Sequence, residues 1–263
     1  MEQPEAAGGQ GEPGGMRLCL LHLYPDLLNI YGDRGNVLTL GRRCAWRGIA
    51  LQVIEAGVGQ DVDWAAIDLV CIGGGEDAKQ VLAAEDLGRH GQALRESVAD
   101  GLPVLAVCGG YQLLGHSYQP AAGARLPGIG VLDATTVAGP RRLIGNVVLE
   151  SEAFGTLVGF ENHGGQTFLG PSCRPLGRVR PGHGGGNNGQ DGGEGALHHH
   201  CVGTYLHGSV LPKNPALADF LLRAALQRRH GDAAAAAALT PLDDAVEASA
   251  QRAAERLARE GRR

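Results

Sequence analysis

The chain has 263 residues, with 23 Lys and Arg against 28 Asp and Glu, giving a formal net charge of −5. That length supports one substantial core with a tail, and the acidic balance argues against nucleic acid as the main partner. No stretch approaches the ~20 consecutive apolar residues that a membrane span needs, so no membrane anchor is expected.

Residues 1–15 are rich in Gly, Glu and Pro without an apolar segment. They read as a disordered extension and not as a signal peptide. Residues 16–24 (MRLCLLHLY) read as a first strand, 36–47 as a helix and 49–55 as a second strand. The apolar run 68–72 is a third strand that leads straight into Gly73-Gly74-Gly75. Helical spacing of Val81, Leu82, Leu87, Leu94 and Val98 predicts a helix over 77–99, interrupted only by Gly88 and Gly91. Residues 103–107 have the length and composition of a buried parallel strand. Strands alternating with helices in this way indicate an α/β chain, a mostly parallel sheet flanked by helices.

From 128 to 168 the pattern changes to shorter, turn-separated β-like pieces, and 182–195 reads as a loose glycine-rich loop. Residues 201–208 (CVGTYLHG) read as a last strand ending at His207. Helices are expected over 212–229 and 241–259, joined by an alanine-rich segment. The second is amphipathic but weakly apolar. It is expected either to pack against something outside the chain or to fray on the surface. One folded domain over 16–230 and a helical tail over 231–263 follow from this division. Six cysteines (19, 44, 71, 108, 173 and 201) without an export signal suggest reduced thiols and a cytoplasmic setting. Cys19 and Cys71 lie inside apolar runs and read as small core residues.

Cys108 carries the chemistry. A short apolar strand stops at this cysteine, two glycines follow, and a helix starts near Tyr111. A nucleophile at such a strand-to-helix elbow stands out at the carboxyl edge of a sheet, with backbone N–H groups near the place where an oxyanion forms. The adjoining helix N-terminus favours the thiolate. Acyl transfer is the implied reaction class. The base is expected at His207, which ends a strand at the edge where α/β sheets bind ligands, with His163 second. Gly74 and Gly109 are candidates for the two N–H donors of an oxyanion hole. Arg141-Arg142 reads either as a solvated basic turn or as a bidentate holder of a substrate carboxylate. The run His198-His199-His200 is loop-like and no metal site is expected. No phosphate-binding Gly-x-x-x-x-Gly-Lys-Ser/Thr pattern occurs in the chain.

Together, Gly73-Gly-Gly75, Val107-Cys-Gly-Gly-Tyr-Gln112 and Gly203-Thr-Tyr-Leu-His-Gly208 resemble the class I glutamine amidotransferases of the cobyric-acid-synthase type. Tyr31-Gly-Asp-Arg-Gly-Asn36, Gly159-Phe-Glu-Asn-His-Gly-Gly165 and Leu206-His-Gly-Ser-Val-Leu-Pro-Lys-Asn214 are similar to the branch of glutaminase subunits that serve lipid II isoglutaminyl synthesis. The resemblance covers roughly 16–229. It implies a flavodoxin-like class I amidotransferase fold and attack of Cys108 on the side-chain amide of L-glutamine, with His207 moving protons. By the same resemblance Arg142 holds the glutamine and Gln112 contacts the bound amino acid.

The resemblance also implies a partner, a Mur-ligase-like synthetase subunit. With its own ATP and Mg site, it would use the ammonia to amidate the α-carboxyl of D-glutamate in lipid II. No cofactor is expected in this chain. Many relatives carry an acid two residues after the histidine, whereas here Gly208 and Ser209 follow His207. The partner is expected to supply that acid; Ser209 and Glu161 are the in-chain alternatives. Competing readings are a glutaminase for another amidation such as that of cobyrinate, a thiol hydrolase of similar architecture, and a non-catalytic binding module.

Overall fold

The computed structural model describes residues 15–29, 32–207 and 209–260. The expected N-terminal extension, apart from residue 15, lies outside them, as do Tyr31 and Gly208. In chain order the elements are β1 (Arg17–Leu23), α1 (Arg34–Ala45), β2 (Ala50–Ala56), β3 (Leu69–Ile72), α2 (Asp77–Ala99), β4 (Val104–Val107), α3 (Gly109–Leu114), β5 (Ser117–Gln119), β6 (Leu126–Pro127), β7 (Ala134–Ser151) and β8 (Gly155–Leu169). There follow β9 (Gly177–Val179), β10 (Gly193–Glu194), β11 (Ala196–His198), β12 (Cys201–Thr204), α4 (Pro215–His230), α5 (Asp232–Ala238) and α6 (Ala245–Glu260).

The central sheet has the order β11-β12-β4-β3-β1-β2. Its pairs from β12 to β2 are all parallel, and only the edge strand β11 runs antiparallel. Every residue of β3, β4 and β12 is buried, the signature of parallel strands covered on both faces. This is why their sequences are continuous apolar runs without alternation. The helix predicted over 77–99 runs unbroken through Gly88 and Gly91. Packing of Leu87, Leu94 and Val98 into the core outweighs the ~1 kcal/mol that each helical glycine costs. Helix α4 starts with Pro215 at its first turn, where a missing N–H is harmless, and buries Leu217, Leu221, Leu222 and Ala225. Arg43 of α1 is buried and forks between Asp219 of α4 and Asp244, tying the first helix to the C-terminal part of the chain.

The second sheet departs from the sequence reading. Where 128–168 reads as short β pieces, the chain forms one long antiparallel hairpin of β7 and β8. The turn-like residues inside it mark a register shift between Ala138 and Leu143, a bulge that throws Gly139-Pro140-Arg141-Arg142 out of the ladder. The 182–195 segment is not loose. Glu161 accepts N–H bonds from Gly185 and Gly186 at 2.7 and 3.0 Å, and Asn187 exchanges two bonds with Gly195.

Helix α6 packs on its own chain. Ala254 and Ala258 meet Val148 and Val158 of the hairpin, Gln251 donates to the Thr156 carbonyl at 2.8 Å, and Arg180 pairs with Glu255 at 3.0 Å. Its apolar stripe is made of alanines, which is why it looked too weak to find a site within the molecule. His199 and His200 form the turn between β11 and β12. Among the described residues no disulfide is formed by the six cysteines; Cys71 is buried, whereas Cys19 is only partly so.

Candidate active site

Strand β4 ends at Val107, and Cys108 occupies the turn into α3 with φ 50° and ψ −102°. A positive φ is costly for a residue with a side chain and collects at functional sites. The surroundings hold it there. Cys108 donates its N–H to the Thr204 carbonyl at 2.9 Å, and its own carbonyl accepts from Gln112 N–H at 2.9 Å. Gly110 donates to the Gly73 carbonyl at 3.1 Å, and a Cβ at Gly110 would stand 2.7 Å from Ile72. Only glycine lets α3 begin this close to the end of β3.

His207 is reached differently from the sequence expectation. Strand β12 ends at Thr204, and the chain then crosses to the hairpin, where His207 donates its N–H to the Phe160 carbonyl at 2.7 Å. Glu194 fixes this crossing by accepting from the Thr204 hydroxyl and the Tyr205 N–H at 2.9 and 2.7 Å. Burial pushes the Glu194 carboxyl up to about 7. Gly74 lies between Cys108 and His207: a Cβ there would sit 3.1 Å from Cβ of Cys108 and 3.2 Å from Cε1 of His207. The thiol and the imidazole therefore converge over one glycine.

The N–H of Gly74 is not turned toward an oxyanion, as the sequence reading has it. It donates to Oδ2 of the buried Asp33 at 2.9 Å. Gly109, the other expected donor, opens α3, where an N–H has no intrahelical acceptor. Asp33 belongs to a segment that also braces the loop after His207. Asn36 Oδ1 accepts the Leu211 N–H at 3.0 Å, and Ser209 donates its hydroxyl to the Gly32 carbonyl at 2.6 Å. The Ser209 hydroxyl is thus engaged away from the imidazole.

Cys108 opens into a cavity of about 610 Å³ that Gln112, Arg142, Asn162 and His163 also line. The bulge in β7 carries Arg142 to this wall, where its guanidinium donates to the side-chain and backbone oxygens of Asn162 at 2.9 and 3.1 Å. Gln112 is buried and donates to the Tyr205 hydroxyl at 3.2 Å. His163 stacks flat on the Tyr205 ring, centroids 3.5 Å apart, with Nδ1 2.7 Å from the Gly165 carbonyl. Glu161 faces His163, Oε2 to Nε2 at 3.8 Å, while accepting from Gly185 and Gly186.

Burial first, then the neighbouring His163 and Arg142, lower the His207 imidazole to about 4. At neutral pH it is the uncharged form, able to accept a proton. Asp33, Asn162, Gln80 and Glu194 escaped the sequence reading as site residues. Their roles depend on contacts across the sheet, and only the position of Asp33 inside the Tyr31–Asn36 motif hinted at one. Among the described residues no group of three or more His, Cys, Asp or Glu could hold a metal ion.

The arrangement matches a known family. The CobB/CobQ-like glutamine amidotransferase domain matches residues 20–215. The chain is 42% identical over 212 residues to the lipid II isoglutaminyl synthase (glutamine-hydrolyzing) subunit GatD of Staphylococcus aureus N315, covering 81% of this chain and 86% of that protein. It is 38% identical over 217 residues to the GatD subunit of Streptococcus pneumoniae R6, covering 82% and 83%. A cobyric acid synthase of Pelotomaculum thermopropionicum is 35% identical over 155 residues, 54% of this chain but 29% of that protein.

Among solved structures, one glutamine amidotransferase superposes with a TM-score of 0.54 at 17% identity, covering 78% of this chain and 98% of the other. A second, from Thermotoga maritima, gives 0.52 at 18% identity, covering 92% and 95%. At such identities they speak for the fold, which is that of the class I glutamine amidotransferases. The chain belongs to the CobB/CobQ-like glutamine amidotransferase family.

Proposed function

We propose that this chain is the glutaminase subunit of a lipid II isoglutaminyl synthase. It hydrolyses L-glutamine to glutamate and ammonia for a separate Mur-ligase-like subunit. The observation that carries this reading is the near full-length similarity to two subunits of that name. The convergence of Cys108, His207 and Arg142 on one site supports it.

In the proposed reaction the Cys108 thiolate attacks the γ-carbonyl carbon of glutamine. The tetrahedral oxyanion is held by the Gly109 N–H, with the Gly74 loop beside it. Protonation of the amide nitrogen by the His207 imidazolium expels ammonia and leaves a γ-glutamyl thioester. Neutral His207 then takes a proton from water, which attacks the thioester, releasing glutamate and the thiol. Arg142, steadied by Asn162, pairs with the α-carboxylate, and Gln112 contacts the amino-acid part.

The influences on His207 disfavour the imidazolium this cycle requires. An acid beside the imidazole would reverse that. Glu161 is committed to Gly185, Gly186 and His163, and the Ser209 hydroxyl to Gly32. The reading therefore gives the third residue to the partner, so that ammonia is made only where it is used. The partner also carries ATP and Mg, and this chain needs no cofactor. The complex works in the cytoplasm, reaching lipid II at the membrane face through the partner. Among the described residues no helix is long and apolar enough to cross a membrane.

The test is Cys108-dependent ammonia release from glutamine by the purified chain, with and without a co-expressed Mur-ligase-like partner, and amidation of lipid II by the pair. Release that needs both proteins is the expected result. Release that is as fast from the chain alone removes the shared site. Release coupled to another acceptor, such as a cobyrinate, reassigns the pathway. No Cys108-dependent release in any combination overturns the glutaminase reading.

A further inference from the structure

The cavity beside Cys108 has a charge arrangement that its nucleophile does not explain. Arg141 and Arg142 enter it from the bulge of β7. Glu76, at the start of α2, is the only carboxylate among the described residues that line it. Glu76 holds the N-cap position of α2, but its side chain caps nothing. Its carboxylate is exposed and makes no hydrogen bond or ion pair with the described residues.

Two neutral acceptors stand in the same lining. Gln80 lies one helical turn beyond Glu76 and is buried; its Nε2 is tied to the Gly75 carbonyl at 2.9 Å, and its Oε1 has no partner among the described residues. Gln112 is likewise buried, with Nε2 on Tyr205 and Oε1 without a partner among the described residues. The lining thus offers two guanidinium groups from the hairpin and a carboxylate with two amide oxygens from the helices. A ligand complementary to it carries one carboxylate and several N–H donors, one set of them charged.

We propose that Glu76 receives the α-ammonium group of the substrate, so that the cavity selects a free, zwitterionic amino acid over a glutamine side chain within a peptide. This rests on the glutaminase reading above and adds a charged partner for the α-ammonium group of glutamine. Arg142 takes the α-carboxylate, Glu76 the α-ammonium, and the carboxamide is left to reach Cys108. A charge-assisted bond of this kind is roughly twice as strong as a neutral one. Losing it is expected to show in KM more than in kcat, because the ammonium group does not change during the reaction.

The experiment compares two substrates on the full chain with its co-expressed partner: L-glutamine, and glutaramate, which is glutamine without the α-amino group. Wild type, Glu76→Gln and Glu76→Asp are assayed for ammonia release, with Cys108→Ala as the blank and thermal melting as the check on folding. The wild type is expected to prefer glutamine. Glu76→Gln is expected to lower kcat/KM for glutamine by about 10- to 100-fold and for glutaramate by no more than a few fold. Glu76→Asp keeps most of the preference.

Equal losses on both substrates, or none on either, overturn the assignment while leaving the glutaminase reading intact. If the wild-type complex releases no Cys108-dependent ammonia from glutamine, the glutaminase reading falls and takes this assignment with it.

Discussion

Asp33 Oδ2 accepts the backbone N–H of Gly74 at 2.9 Å, and through that bond a carboxylate from the start of the chain sets the glycine over which Cys108 and His207 meet. The bond is buried, and Oδ1 of the same carboxylate has no hydrogen-bond partner among the described residues. Asp33→Ala removes the acceptor of the Gly74 N–H. It is expected to cost about 1–3 kcal/mol of stability and about tenfold in kcat/KM for glutamine. Asp33→Asn still offers an oxygen to Gly74 and is expected to keep most of the activity. Melting curves and steady-state assays on the two variants decide between an acceptor role and a role of the charge.

The two buried titratable groups flanking this glycine have opposite pH signatures. Burial raises Asp33 from an ordinary 3.8 to about 6, and burial, with His163 and Arg142 beside it, lowers His207 from 6.5 to about 4. The folded chain binds the Asp33 proton more readily than the unfolded chain does, so Asp33 favours folding on acidification from about 6 to about 4. His207 does the reverse, since the unfolded chain takes up its proton first between about 6.5 and 4. Relative to wild type, His207→Gln is expected to gain stability as the pH falls through that window. Asp33→Asn is expected to lose its advantage over the same range. Urea unfolding at several pH values measures both; parallel curves for variant and wild type would reject the linkage.

A neutral imidazole also governs the thiol. The pH dependence of Cys108 alkylation by iodoacetamide in the isolated chain serves as the reference curve. Adding the partner should shift that curve to lower pH, because an acid beside His207 stabilises the ion pair. An unchanged curve would remove the partner's acid from the mechanism.

The left-handed backbone of Cys108, φ 50°, predicts a conflict between stability and activity. Cys108→Ala and Cys108→Gly are both expected to lower ammonia release by at least ~1,000-fold. Only the glycine variant relieves the backbone, and it should melt higher than the alanine variant by the equivalent of about 1 kcal/mol. Equal melting temperatures would mean that the turn carries no strain.

Helix α6 covers Val148 and Val158 of the hairpin through Ala254 and Ala258. Deleting residues 245–263 exposes those valines and leaves Arg180 without Glu255. The truncated chain is expected to lose about 2–4 kcal/mol and to exchange the amides of β7 and β8 faster. Retained stability and protection would make the helix a loosely attached tail.

The sequence by itself determined the central sheet, the elbow at Cys108, and the family motifs around Gly73–Gly75, Cys108 and His207. These features are local: a buried parallel strand must be a short apolar run, and a tight strand-to-helix turn must be rich in glycine. Tertiary structure decided what depends on contacts between distant segments. Strand β12 ends before His207, and the histidine is placed by the Phe160 carbonyl of the hairpin. Arg142 reaches the cavity because β7 slips its register against β8, and no single-strand pattern records a slip between two strands. The Gly74 N–H turns to Asp33 because a buried peptide donor takes whatever acceptor the fold brings to it. Glu76 and the two arginines line one cavity because the charge pattern of a cavity is written by the packing of the elements that wall it.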